Sequence, residues 1–309
     1  MPSWDEAVKQ FQDVDPQQRP NWLFSQIVDH LATIGRLRNG RNVLIYASAF
    51  LQKPGVPFPW LAVSMEDMNG VMTTLHGMDY SKGLTLILHS PGGDIGAPDS
   101  LMSYLHTKFA DIEVIVPTYA MSAATMMALG SQKIIMGRQS QLGPIDAQLN
   151  VGGRQVSAGA VVAQCALARR EIMDNPLAAH YWAPILQCMP PALEREATYA
   201  LEYGQKMVTD WLRQKMFAHH ADPDKQAHKV ASYFNATDEH KHHGRRIDRE
   251  ACRLQGVVVE DLEPDQSLQE AVLSVYHFLT LHFETSPATK AWISNTGRNW
   301  FKNFVSQSA

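Results

Sequence analysis

Two segments of the chain have the makings of acyl-transfer chemistry. In Leu84-Thr85-Leu86-Ile87-Leu88-His89-Ser90-Pro91-Gly92-Gly93 an apolar run enters a Gly-Gly turn, whose backbone N–H groups stand clear of side chains. Some thirty residues later comes Tyr119-Ala120-Met121-Ser122-Ala123-Ala124-Thr125, a serine at the mouth of a small-residue helix. Backbone donors beside a serine hydroxyl are how a chain builds an oxyanion hole next to a nucleophile, and a helix N-terminus favours the developing anion. The N–H of Gly92 or Gly93 together with that of Ala123 would hold the tetrahedral oxygen, and losing one such donor costs ~3 kcal/mol in the transition state. Each piece alone has a plainer reading: Ser122 as a helix N-cap, Gly92-Gly93 as a tight turn. A third string, Ser140-Gln141-Leu142-Gly143-Pro144-Ile145-Asp146, ends in a carboxylate that either joins the serine or closes a turn.

The surrounding pattern must place these residues, and it reads as alternating short strands and amphipathic helices, hence α/β. Leu23, Ile27, Leu31 and Ile34 recur at helical spacing, which predicts a helix over 22–36 ahead of a strand over 42–47. Prolines at 54, 57 and 59 make 52–59 a loop. Helical spacing returns over 65–78, and the continuous apolar run 84–89 suits a parallel strand covered on both faces. Helix 98–109, strand 112–116, helix 122–130 and strand 133–136 complete two strand–turn–helix units. Both the Gly-Gly turn and Ser122 then fall at carboxyl ends of parallel strands, where open α/β sheets collect ligands. Helices also fit 160–172 and 193–217, with a proline-interrupted stretch between them.

Composition excludes several classes. With 309 residues, 45% hydrophobic and 19% charged, the chain can bury a sizeable core. A formal charge of −4 gives no bulk attraction to nucleic acid, and the basic stretch His240-Lys241-His242-His243-Gly244-Arg245-Arg246 is short. Cys165, Cys188 and Cys252 are too scattered for a disulfide framework or a zinc site, which points to a reducing compartment. The histidines at 240, 242 and 243 lack the spacing of a metal cluster. Residues 1–20 do not read as a signal peptide and no apolar run spans a bilayer, so a cytoplasmic location is expected, with peripheral membrane association still open. No cofactor motif appears, and without a Walker-type loop any ATP-driven unfolding must come from another chain.

His-Ser-Pro-Gly-Gly at 89–93, Ala-Met-Ser-Ala-Ala-Thr at 120–125 and Gln-Leu-Gly-Pro-Ile-Asp-Ala-Gln at 141–148 together resemble the serine dehydrogenase proteinase family, a Clp-like branch of serine peptidases. The resemblance is strong over 40–150 and weaker over 240–295. It implies a Clp/crotonase-like α/β fold, a repeated β-β-α core with a mostly parallel sheet and an added helical layer. It also implies a 41–265 peptidase domain with a helical insertion around 158–235, flanked by a helical extension (1–40) and a helical tail (266–309). The aromatic residues Trp292, Trp300, Phe301 and Phe304 sit in that tail at near-helical spacing. The implied activity is ATP-independent serine endopeptidase action on a polypeptide substrate, in a homo-oligomer, with an activating or gating protein as a further partner.

A serine hydroxyl needs a base, and here the chain departs from its better-known relatives. The Clp proteolytic subunit carries its catalytic histidine about where Ile145 and Asp146 lie. Signal peptide peptidase A relatives use a lysine from a stretch where this chain has Arg169 and Arg170, and arginine cannot serve as a base near neutral pH. The resemblance instead places His243, by its spacing to Glu250-Ala251, where the Clp subunit has its aspartate. A triad with two roles exchanged follows: Ser122 as nucleophile, His243 as base, Asp146 orienting the imidazole. A Ser-Lys dyad using Lys206, Lys53 or Lys290 competes with it. Beside the peptidase stand two other readings, a catalytically silent scaffold of the same fold and a crotonase-type acyl-CoA enzyme, which shares the oxyanion hole but has no need of a serine at 122.

Overall fold

The computed structural model describes residues 4–305. Helices α1 (Trp4–Asp13) and α2 (Arg19–Leu37) lead into β1 (Asn42–Ser48), α3 (Asp67–Leu75) and β2 (Leu84–His89). Then follow α4 (Gly96–Lys108), β3 (Ile112–Val116), β4 (Tyr119–Ala120), α5 (Ala123–Leu129), β5 (Lys133–Met136) and β6 (Gln141–Leu142). A hairpin of β7 (Gln148–Val151) and β8 (Arg154–Ser157) precedes α6 (Ala158–Asp174), α7 (Ala179–Gln187), α8 (Leu193–Gln214), α9 (Pro223–Asn235), α10 (Thr237–His240) and α11 (Arg249–Gln255). The chain closes with β9 (Val259–Asp261), α12 (Gln266–Thr285), β10 (Ala288–Ser294) and β11 (Asn299–Asn303).

Seven strands form one sheet in the order β11-β10-β1-β2-β3-β5-β9, parallel from β1 to β9, with β10 antiparallel to β1 and β11 antiparallel to β10. Because side chains alternate along a strand, each buried strand feeds two cores. Leu44, Leu86, Leu88, Val114 and Met136 face α3, α4, α5, α8 and α9. Ile45, Ile87, Ile115, Ile135 and Ile293 face α2 and α12. Both faces are therefore covered, as the continuous apolar runs require. At the amino ends of the strands, buried Glu113 binds Arg38 at 2.6 and 2.8 Å and Thr85 at 2.7 Å, which leaves the carboxyl ends free for the site.

The fold is the mixed α/β, mostly parallel architecture expected, with one correction. The segment 266–309 is not a helical tail: α12 ends at Thr285, and 288–303 is a hairpin added to the main sheet. Trp292 packs tilted against Tyr46 at 4.7 Å between centroids, and it pairs with Trp300 across the hairpin, so their spacing reflects cross-strand pairing rather than helical turns. Segment 1–40 forms α1 and α2, and α2 packs into the core. Leu23, Ile27, Leu31 and Ile34 are fully buried, and Trp22 packs edge-on to Phe278 of α12, because α2 and α12 together cover one sheet face. Finally, α8 and α9 of the 158–235 insertion contribute Val208, Leu212, Val230 and Phe234 to the main core. Residues 1–3 and 306–309, the ends of the two flanking segments, lie outside the described residues.

Candidate active site

Ser122 sits between β4 and α5 with φ 52° and ψ −114°, a conformation that costs a non-glycine residue ~1–3 kcal/mol. At the N-cap position it makes no capping hydrogen bond, so the plain capping reading fails and its hydroxyl is left to the cavity it lines. The turn is held from both sides. Ser90 N–H donates to Tyr119 O at 2.9 Å and Met121 N–H to Ser90 O at 3.0 Å, stitching the serine loop to the Gly-Gly turn. Buried Thr125 donates to Ala120 O at 2.6 Å and accepts from Gly143 N–H at 3.0 Å, tying the loop to the Leu-Gly-Pro-Ile-Asp segment.

The two glycines divide their duties. Gly92, at φ 99°, packs so closely that an added Cβ would lie 2.6 Å from Ser122 Cβ. Its N–H donates to Ser90 Oγ at 3.2 Å, which removes it from the expected set of oxyanion donors. Gly93 pairs with Val63 in a parallel bridge whose hydrogen bonds run through the neighbours, Val63 N–H to Gly92 O at 2.8 Å and Asp94 N–H to Val63 O at 2.9 Å. That pattern leaves Gly93's own N–H unpaired among the described residues, and Gly93 lines the same cavity as Ser122. The N–H of Ala123, in the first turn of α5, is also unpaired among the described residues, and Ala123 lines that cavity too.

Asp146 and His243 are brought together across 97 residues of chain, with His243 Nδ1 2.7 Å from Asp146 Oδ1. An isolated antiparallel bridge joins Leu142 to Ile247, and its register, continued four residues along each segment, sets Asp146 opposite His243. Ile145 N–H donates to Phe234 O at 2.8 Å and ties the Asp146 segment to α9. The carboxylate is 3% exposed, whereas the imidazole is 29% exposed. A carboxylate accepts, so Nδ1–H donates, and in the neutral ring Nε2 is then the nitrogen with the lone pair. The other carboxylate oxygen accepts from Gln148 Nε2 at 2.9 Å and Ser157 Oγ at 3.1 Å, fixing its plane. Sequence reasoning missed these two supports. Their signal was Val151-Gly152-Gly153-Arg154, a hairpin turn with φ of 57° and 80° at the two glycines, which folds Ser157 back beside Gln148.

Ser122, Ala123, Gly93, Asp146 and His243 line one cavity of about 610 Å³. Met126, Ile95, Ile145, Ala147 and Leu149 give it apolar walls. None of the three lysines considered as bases lines it. Lys206 is exposed on α8 and paired with Asp210 at 2.5 Å, beside a separate cavity. Lys53 donates to Ser286 O and Ala288 O, and burial lowers its pKa without bringing it to Ser122. Lys290 is buried with all three donors engaged. His89 lies on the opposite sheet face among Phe50, Tyr119 and Tyr276, where burial pushes its pKa down to about 3. Among the described residues no helix is long and apolar enough to cross a membrane, and no group of three or more His, Cys, Asp or Glu is placed to hold a metal ion.

The chain is similar to two uncharacterized proteins of Methanocaldococcus jannaschii. It is 33% identical to one over 123 residues, 38% of this chain and 43% of the relative, and 27% identical to the other over 128 residues, 40% and 44%. The matches thus span less than half the length of either relative. The sequence pattern of the ClpP-like SDH-type serine proteinases matches residues 14–176, a span that includes the Gly-Gly turn, Ser122 and Asp146 but stops short of His243. As that span is just over half of the 309 residues, the chain belongs to the ClpP-like SDH-type serine proteinase family.

Proposed function

We propose that this protein is an ATP-independent serine endopeptidase that hydrolyses peptide bonds through an acyl-enzyme at Ser122. The observation that carries the reading is the 2.7 Å contact between His243 Nδ1 and Asp146 in the wall of the cavity that Ser122 also lines. In the first half-reaction Nε2 of His243 takes the Ser122 proton as Oγ attacks the scissile carbonyl. Asp146 holds the imidazole in the tautomer with the proton on Nδ1 and stabilises its charged form. The tetrahedral oxygen accepts from the N–H groups of Gly93 and Ala123. His243 then returns its proton to the leaving amine. In the second half-reaction it activates a water that attacks the ester and frees the acid product and Ser122.

Polypeptide substrate follows from this reading, and the apolar walls favour apolar side chains beside the scissile bond. Self-association is part of the same proposal, supported by Met173, Leu177, Tyr181 and Tyr199, which stand exposed on the α6–α8 layer. A gating partner would act on that layer, since Ala200 of α8 lines the cavity. The test is casein degradation together with labelling by a fluorophosphonate probe. Both should vanish in Ser122→Ala, and labelling should fall at least ~100-fold in His243→Ala. Full labelling of His243→Ala would remove the histidine from the mechanism.

A further inference from the structure

We propose that Lys290 is a positioning residue: buried on β10, it clamps the segment Ala62–Ser64 so that Val63 presents the Gly93 N–H to the cavity. The inference rests on the peptidase reading above. Lys290 and Asp67 are 1% and 0% exposed and meet at 2.9 Å. The ammonium's other two donors go to Ala62 O at 2.9 Å and Ser64 Oγ at 3.0 Å. Asp67 in turn accepts from Ser64 N–H at 2.7 Å and from Trp292 Nε1 at 3.3 Å. The pair thus grips both neighbours of Val63, through a backbone oxygen on one side and a backbone N–H and hydroxyl on the other.

Val63 is the residue whose N–H and C=O hold Gly92 O and Asp94 N–H. The two backbones are in contact, since a Cβ on Gly93 would fall 2.1 Å from Val63 O. A shift of the 62–64 segment therefore carries the Gly-Gly turn with it. Oxyanion donors act only when fixed close to the position where charge develops, so such a shift is felt in the transition state before it is felt in substrate binding. Stability alone gives little reason for an ion pair at this depth, because a well-packed apolar pair in such a place is often as stable. Fixing one geometry of the 62–64 segment is what the pair adds.

The experiment uses the full chain and three proteins: wild type, Lys290→Met and the milder Ser64→Ala, which leaves the Lys290–Asp67 pair in place. Thermal unfolding, kcat and KM on a fluorogenic peptide, and the inhibition constant of a peptide aldehyde are measured on each. In Lys290→Met kcat should fall ~10–100-fold with KM within ~3-fold, and aldehyde binding should weaken in parallel with kcat. Ser64→Ala should lose ~3–10-fold in kcat with the same split while unfolding near the wild-type temperature. Wild-type kcat in a folded Lys290→Met, or in Ser64→Ala where Lys290→Met does not fold, overturns the clamp. So does a loss confined to KM. A wild type without Ser122-dependent turnover overturns the peptidase reading itself, and that result is visible before either variant is made.

Discussion

At the scale of single residues, the site depends on atoms held in one place by groups that take no part in the chemistry. Asp146 is the clearest case, since its two oxygens serve His243 on one side and Gln148 and Ser157 on the other. Asp146→Asn keeps the volume but changes the acceptor facing Nδ1, so kcat should fall ~10²–10⁴-fold with little change in unfolding temperature, as steady-state kinetics and calorimetry will read. Gly92→Ala is the complementary test. Its φ of 99° and the 2.6 Å approach to Ser122 Cβ leave no room for a methyl group, so both stability and probe labelling should drop together. Ser122 stands out in the sequence as a candidate nucleophile because its string follows the Gly-Gly turn by some thirty residues. His243 was reached through the family resemblance alone, because the Leu142–Ile247 bridge that delivers it to Asp146 joins residues with no shared local pattern.

At the scale of elements, strands and helices whose apolar residues repeat regularly were readable, and those defined by partners were not. β1, β2, β3 and β5 start and end within a residue of expectation, since each is a short, mostly apolar run. β10 escaped because Thr289, Lys290 and Ser294, though buried, break up the apolar run that marks the other strands. The β7–β8 hairpin escaped for a different reason: it is partly exposed and polar, and only its Gly-Gly turn announces it. Thr125 connects α5 to Gly143, at the start of the segment that leads from β6 to Asp146. Thr125→Val would strand Ala120 O and Gly143 N–H in a buried place and should cost ~1–3 kcal/mol, measurable by denaturant unfolding. Activity should fall further than stability alone explains, because the same side chain spaces Ser122 from Asp146.

At the scale of the whole molecule, buried histidines set the acid limit. Burial pushes His89 down to about 3, and His106 and His282 down to about 4. In the unfolded chain each titrates near its ordinary value of ~6.5, so from there down to ~4 the unfolded state binds protons that the folded state refuses. Stability is therefore full above that range and falls as pH drops through it, by ~1–2 kcal/mol per histidine at pH 5. Urea midpoints between pH 8 and 4.5 should show this slope, and a flat profile would contradict it. His106→Gln, able to keep the 2.8 Å bond to Gly130 O, should make the slope shallower. The site also draws on distant parts of the chain: His243 meets Asp146 across 97 residues, and Lys290 meets Ala62 across 228. Contacts of such separation are slow to form, because the intervening chain must be ordered before they reward it. On the peptidase reading, His243 and Lys290 then join Ser122 and the Gly-Gly turn late on the folding route, so a partly folded copy would be safe company for its neighbours and for itself.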